Sequence, residues 1–564
     1  MSKNTAYVIY GLTLIFFCCF FLWPIAQILK GGFVNADGVF TLVYFFEVFA
    51  NPIYLEGLRN AFIIAFLTTC FSFLISVPLA FASDRYEFSG KSVLQSLLLV
   101  PIILPPFVGA IGVKQIFGQY GAVNALLQSI GLLSPENTID WIGANPFWGI
   151  VFLNTLHLYP IIYLNAVAAL ANIDPNMEEA AENLGCTGLN KFRKITLPLI
   201  RPGLFAGGTI VFIWAFTELG VPLIFDYSRV TSVQIYYGIK DIGGSPFPYA
   251  LVAAMLMGSI LIYALGKGIF GRTSYAMMAK ATHSSGLRKL SKPGTLLCCL
   301  GFLSVIGFAT LPHLGVVILS FAPDWYASIL PSEWTLANYE LALGHTLTVS
   351  SIANSLKYAS IATLFDLFLG ICIAYVLVRS KVPGKAFLDA LAMLPLAVPG
   401  LVLAFGYLAM SQEGKFFAFL NPIENPTFLL IIAYAIRRLP YIVRSAVAGF
   451  EQSSETYEEA AQNLGCSPFK TVLKITLPLI MANLLAGALL SFSFAMLEVS
   501  DSLILAQKQA FYPITKAIYE LFQLLGDGRF VASALGVWAM VFLAVCIMGA
   551  SLILGKKLGA IFRV

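Results

Sequence analysis

The sequence predicts an all-α, polytopic membrane protein of about twelve transmembrane helices, arranged as two parallel six-helix repeats. Three observations carry this: an apolar composition, apolar runs that recur along the whole length, and an internal duplication. Of 564 residues, 59% are hydrophobic and only 11% charged, and the mean hydropathy is +0.83. Soluble domains carry roughly 25% charged residues, so the solvent for this chain is a bilayer.

Apolar runs of roughly 18 to 25 residues are long enough, at about 1.5 Å per residue, to cross a hydrocarbon core of about 30 Å. They lie near 7–27, 60–83, 95–113, 146–170, 203–225, 249–270, 295–320, 353–377, 387–411, 427–446, 482–506 and 531–555. A lipid-exposed span must satisfy its own backbone polar groups, and these runs lack the alternation of barrel strands, so they read as helices. Lys3 precedes the first run, yet no small-x-small cleavage site follows it, and the run is expected to stay as a helix. Seven of the nine cysteines fall in spans; Cys186 and Cys466 fall in loops, which argues against a disulfide framework.

Orientation follows from Lys and Arg. With a cytoplasmic N-terminus, about 24 of the 34 basic residues fall on the cytoplasmic side, including the groups at Lys191 to Arg201, Arg288 to Lys292, Arg379 to Lys385 and Arg437 to Arg444. Both termini are then cytoplasmic. The net charge of +5 reflects this topology and points to no nucleic-acid surface.

The duplication is explicit. Residues 178–200 match residues 458–480 at an offset of 280, with 15 identities in 23 positions. The same offset pairs Pro160 with Pro440 and Glu218 with Glu498; upstream, an offset of 294 pairs Asn60, Arg85, Gly90-Lys91 and Pro101 with Asn354, Arg379, Gly384-Lys385 and Pro395. The extra 14 residues of the first half fall in the outward segment around Gly118 to Pro146. Six spans per half is an even number, so both halves enter the membrane from one side. The domains are therefore 1–270 (core 60–270) and 295–564 (core 353–555), joined by a basic cytoplasmic linker at 271–294.

Each copy of the repeated loop encodes two short helices with a bend. Asp174-Pro175 and Ser454-Glu455 supply caps; Glu178-Glu179 and Glu458-Glu459 favour the first turn electrostatically; Gly185 and Gly465 admit the left-handed residue that stops a helix. A second helix restarts at Thr187 or Ser467-Pro468 and is expected to end at Pro198 or Pro478, where the next span begins. A bent element repeated twice suits two copies of a moving partner.

At this point the chain resembles the integral membrane subunits of ABC importers, whose cytoplasmic loop reads E-A-A, three residues, G, nine residues, I-x-L-P. Glu179-Ala180-Ala181, Gly185, Ile195, Leu197 and Pro198 fit that spacing, with Glu178 preceding; Glu459-Ala460-Ala461, Gly465, Ile475, Leu477 and Pro478 fit it again, after Glu458. The resemblance runs over nearly the whole chain and favours the fused ferric-iron type. It implies the type I importer permease fold in a bacterial inner membrane. It also implies docking of each loop in one of two ABC ATPase subunits that bind the ATP, and delivery of cargo by a periplasmic or lipid-anchored binding protein. Ferric iron is the cargo it suggests first; phosphonates, sugar phosphates, thiamine and polyamines use related permeases. An ion-coupled secondary transporter or a passive channel is the reading from another class.

No enzyme site is expected. Gly90-Lys91-Ser92 looks like the end of a phosphate loop, but its first glycine would fall at Arg85. The four histidines are scattered, and no catalytic triad, metal-ligand set or cofactor motif stands out. Charges inside spans remain: Glu218 and Glu498, at equivalent places, are candidate pathway or gate residues, against the simpler reading of hydrogen bonding between helices. Asp366 and Asp501 have no counterpart in the other half. Pro101, Pro105, Pro106, Pro395 and Pro399 are expected to kink the third and ninth spans.

Overall fold

The computed structural model describes residues 3–35, 37–239, 242, 244–270 and 288–554. Helices dominate them, as the composition requires. Nine are long and apolar enough to cross a membrane: Thr5–Phe33, Pro52–Arg85, Pro146–Ala171, Gly188–Ile224, Phe247–Leu265, Lys292–Ser320, Thr346–Arg379, Pro468–Met496 and Gly528–Cys546. Two bent pairs would bring the number to 11. They are the third and ninth spans, broken at the expected prolines. In the ninth, Lys385–Leu396 and Gly400–Met410 meet at 99°, because Pro399 (φ −58°, ψ 137°) leaves the helical region before Gly400 restarts it.

The tenth predicted span is the helix Thr427–Gln452, which carries Arg437, Arg438 and Arg444. The first two were counted above as cytoplasmic surface charge. That count needs correction for Arg438, which is buried inside the bundle, and for Arg437, which is largely so. The expected linker covers 271–294. Its residues 271–287 lie outside the described residues, but Arg288–Lys289 already pair in parallel with Tyr86–Glu87, and Ser291 caps the helix Lys292–Ser320 by accepting from the Gly294 amide.

Two compact units cut across the repeat halves. One holds Met1–Leu55, Thr231–Leu256 and Ala337–Ile561; the other is built chiefly from Glu56–Val230 and Met257–Leu336. Each unit thus takes its first helix from the other repeat. In one, Thr5–Phe33 packs on Gly400–Met410, with the Tyr407 hydroxyl donating to the Phe20 carbonyl at 2.7 Å. In the other, Lys292–Ser320 packs on Pro106–Phe117. The contact is built alike in both. Gly406 faces Pro24 and Ile28, and its repeat counterpart Gly112 faces Pro312 and Val316, so a bare backbone receives the partner helix at the same position twice.

The core of the first unit is a three-helix packing of Thr346–Arg379, Thr427–Gln452 and Leu477–Met496. Ala374, Ala446, Phe450, Ile480 and Leu484 are buried between them. In the other, Leu197–Phe216 packs on Pro146–Ala171, and Ser76 and Ser83 of Pro52–Arg85 bond the Tyr159 carbonyl and the Tyr163 hydroxyl at 2.7 and 2.8 Å.

A methyl group on Gly112 would sit 2.0 Å from the Pro312 carbonyl oxygen, whereas one on Gly301 of the same partner helix meets nothing within 4 Å. Gly112→Ala is expected to cost about 1–3 kcal/mol, the usual range for overpacking. The readout is a lower thermal midpoint of the detergent-purified protein, with Gly301→Ala as the variant that does not lower it.

Candidate functional site: two elbows and their anchors

Each repeated loop folds as an elbow. In the first, Asp174 caps Pro175–Asn183 by accepting from the Asn176 amide at 3.0 Å. The helix stops at Gly185, with φ at +82°. There the Cys186 amide donates to the Ala181 carbonyl and the Gly185 amide to the Glu182 carbonyl, both at 2.9 Å. That is the two-bond pattern of a helix closed by a left-handed glycine. The second elbow repeats it: Ser454 caps Glu455–Asn463, Gly465 has φ at +88°, and Cys466 and Gly465 donate to Ala461 and Gln462 at 3.0 and 2.9 Å.

The expected stop at Pro198 and Pro478 is not found. Gly188–Lys191 and Pro468–Thr471 run through a single π-helical turn, Phe192–Thr196 or Val472–Thr476, straight into the membrane helices Leu197–Phe216 and Leu477–Met496. The π turn explains why proline is tolerated. Its bond from the Leu197 amide reaches back five residues to Phe192, and the wider turn absorbs the donor that Pro198 lacks. The second arm of each elbow is therefore continuous with a membrane span.

The elbows are anchored by a carboxylate. Glu178 is buried, with Arg85 at 3.0 Å and the Thr196 hydroxyl donating to it at 2.7 Å. One side chain thus ties the first arm to the end of Pro52–Arg85 and to the π turn. In the second elbow Glu458 is buried against Arg379, whose Nε donates at 3.1 Å while its Nη2 donates to the Ser453 carbonyl at 2.7 Å. Arg379 also stacks over Phe450 at 5.6 Å. Arg85 and Arg379 were paired by the repeat, but their partnership with the acidic loop residues was not read from sequence; the repeated basic residue closing the second span of each half was the available signal.

What remains exposed is the outer face of each elbow. Glu179, Ala180, Glu459 and Ala460 point outward, Ala181 and Ala461 inward. Leu184 and Leu464 are 88% and 90% exposed at the two bends. Leu189 and Phe469 stand beside them, also exposed. Ile195, Leu197, Pro198, Ile475 and Leu477 are half-buried along the second arms, and Pro478 is exposed. The first elbow has a further attachment: Glu182 holds Lys191 at 2.7 Å and Arg288, from the end of the linker, at 2.9 Å. Those two bonds, Lys191 first, hold its carboxyl below the ordinary carboxylate value, so their contribution is present at neutral pH and lost as pH falls through that lowered value.

Glu218 and Glu498 are equivalent in sequence and unlike in surroundings. Glu218 accepts from the Val221 amide at 3.2 Å, at the start of the short helix Gly220–Ile224. Glu498 is buried against both Arg437 and Arg438, and Arg437 also reaches Asp501 at 3.2 Å. The repeat explains the difference: Arg437, Arg438 and Asp501 have His157, Leu158 and Val221 in their place in the first half. Gly400, at the break in the ninth span, leaves room for the Arg437 guanidinium against its backbone. Asp366 accepts from Ser491 at 3.1 Å. Among the described residues no group of three or more His, Cys, Asp or Glu side chains could hold a metal ion.

The family model of the binding-protein-dependent transport system inner membrane component matches residues 53–274 and again 366–555. The chain belongs to that family. It is a fused member, with two copies of the permease domain in one polypeptide, and is a multi-pass inner-membrane transport protein. It is 30% identical to a ferric transport system permease of Haemophilus influenzae, over 86% of this chain and 75% of that one. It is also 30% identical to a ferric transport system permease of Actinobacillus pleuropneumoniae, over 81% of this chain and 64% of the other. A sulfate transport system permease of Salmonella typhimurium is 24% identical over 45% of this chain and 87% of its own.

In this fused permease the anchors of the elbows are testable without any partner. Arg379→Met leaves Glu458 buried without its cation, which is expected to cost about 3–5 kcal/mol, and the double variant Arg379→Met/Glu458→Met is expected to recover much of that. Thermal unfolding in detergent reads both; a single variant as stable as the wild type would contradict the anchoring.

Proposed function

We propose that the chain is the membrane-spanning subunit of an ATP-driven importer that carries ferric iron inward by alternating access between its two repeats. The observation that carries the reading is the doubled elbow. Each elbow presents an exposed leucine at a glycine-closed bend, runs its second arm unbroken into a span, and fastens its first arm to another span through a buried carboxylate. A push on either exposed bend reaches two membrane helices through one rigid element. Two copies of an ABC ATPase, which hold the ATP, dock on Glu178–Pro198 and Glu458–Pro478 from the cytoplasm, where both termini lie. A periplasmic or lipid-anchored binding protein delivers cargo from the other side. Ferric iron is the cargo suggested by the two ferric transport permeases to which the chain is 30% identical.

Glu218 and Glu498 belong in this reading to the gate. Glu498, just past the end of Leu477–Met496, bridges Arg437 and Arg438 of Thr427–Gln452, so charge links the two helices in the second repeat, where the first has His157 and Leu158 in place of the arginines.

Two experiments test the proposal. In proteoliposomes with the ATPase and a loaded binding protein, Gly185→Val with Gly465→Val forces side chains into left-handed backbone at roughly 1–2 kcal/mol each, and ATP-dependent uptake is expected to fall about tenfold or more. Uptake that persists without an ATPase and follows an ion gradient would sink the importer reading. Glu218→Gln with Glu498→Gln is expected to slow uptake, and unchanged uptake removes both from the gate.

A further inference from the structure

Helices Thr231–Gly238 and Ile514–Phe522 occupy the same place in the two repeats. Their first residues are 283 positions apart, and Ile235-Tyr236 matches Ile518-Tyr519 at that offset. The loops that lead into them are held alike: Asn60 donates to the Arg229 carbonyl at 2.9 Å and Asn354 to the Tyr512 carbonyl at 3.3 Å, again 283 apart. The two equivalent tyrosines touch each other, with Tyr236 and Tyr519 ring centroids 6.5 Å apart at 87°. Equivalent positions of a parallel repeat can meet only on the axis that relates the copies.

On that axis stands one ammonium. The Lys516 side chain is only 7% exposed and is paired with Glu520 at 2.8 Å. Tyr236, Tyr512 and Tyr519 surround it with ring centroids at 5.8, 5.5 and 5.6 Å, and the Tyr236 hydroxyl lies 3.4 Å from Nζ. The counterparts of Lys516 and Glu520 in the first repeat are Val233 and Tyr237, so the charge is single although the helices are paired. Glu520 is the more exposed partner at 35%, which leaves ring faces on the remaining sides of the ammonium. Aromatic faces hold a desolvated cation in place without cancelling its charge.

We infer that Lys516 is an electrostatic seal: a fixed positive charge on the repeat axis that bars small cations from leaking along the path the importer uses for its cargo. A positive group at a constriction excludes cations because they cannot shed water beside it without facing a like charge, and here Glu520 offsets that charge from one side only. That this axis is the cargo path rests on the function proposed above; the charge and its ring of tyrosines do not.

The test uses the chain alone in sealed vesicles, with neither ATPase nor binding protein, so its outcome is separate from any import assay. Passive sodium and potassium leak is measured for wild type, Lys516→Met, Lys516→Gln and Lys516→Arg. The seal predicts that Met and Gln raise cation leak at least about tenfold, the effect of ~1.4 kcal/mol of lost barrier, while Arg stays as tight as wild type. Equal tightness in all four overturns it, and so does Arg leaking as much as Met, which would make the effect one of packing. Glu520→Gln keeps the ammonium and covers the case in which the uncharged variants misfold. It is expected to raise the ratio of iodide to potassium leak, and an unchanged or lower ratio overturns the seal.

Discussion

A buried carboxylate facing an arginine governs how this protein is put together at its two elbows. Glu178 with Arg85, and Glu458 with Arg379, each take a charge out of water, and such a charge is tolerated only while its partner stays in place. The pair therefore fixes geometry more than it adds stability. It joins the first arm of an elbow to the end of one span, while the π turn joins the second arm to the next. Removing water from both ends of the pair makes the joint stiff.

The same economy appears within the membrane. Helices in lipid gain little from burying apolar area, so close approach depends on small residues and on polar contacts. Gly112 and Gly406 supply the first, at equivalent places, and admit a helix contributed by the opposite repeat. The cluster of Arg437, Arg438, Glu498 and Asp501 supplies the second, in one repeat only. Duplication set a symmetric frame, and later divergence placed charge unequally on it: Glu498 with its arginines and Lys516 among its tyrosines in the second repeat, and in the first Glu182 clasped by Arg288 where the second elbow has Gln462.

Much was legible in the linear order because the signals were local or repeated. Apolar run length is a property of consecutive residues, and the caps at Asp174 and Ser454 and the turns at Gly185 and Gly465 depend on backbone preferences within a few positions. The breaks at Pro105-Pro106 and Pro399-Gly400 follow from a missing donor. The expectation that Pro198 and Pro478 stop a helix failed for a related reason: proline removes one bond, but a π turn can shift the register past it, and which outcome prevails depends on the span that follows.

By itself the sequence determined a bilayer protein, a duplicated set of helices and two bent loops, since composition, period and turn chemistry are written in neighbouring residues. Only the tertiary structure decided which charges meet. Arg437 and Arg438 read as surface charge until Glu498 and Asp501, some 60 residues away, pair with them, and Lys516 reads as an ordinary lysine until tyrosines from both repeats close around it. The physical reason is that the cost of a charge depends on what surrounds it in space, and burial brings together groups whose separation along the chain carries no trace of their contact.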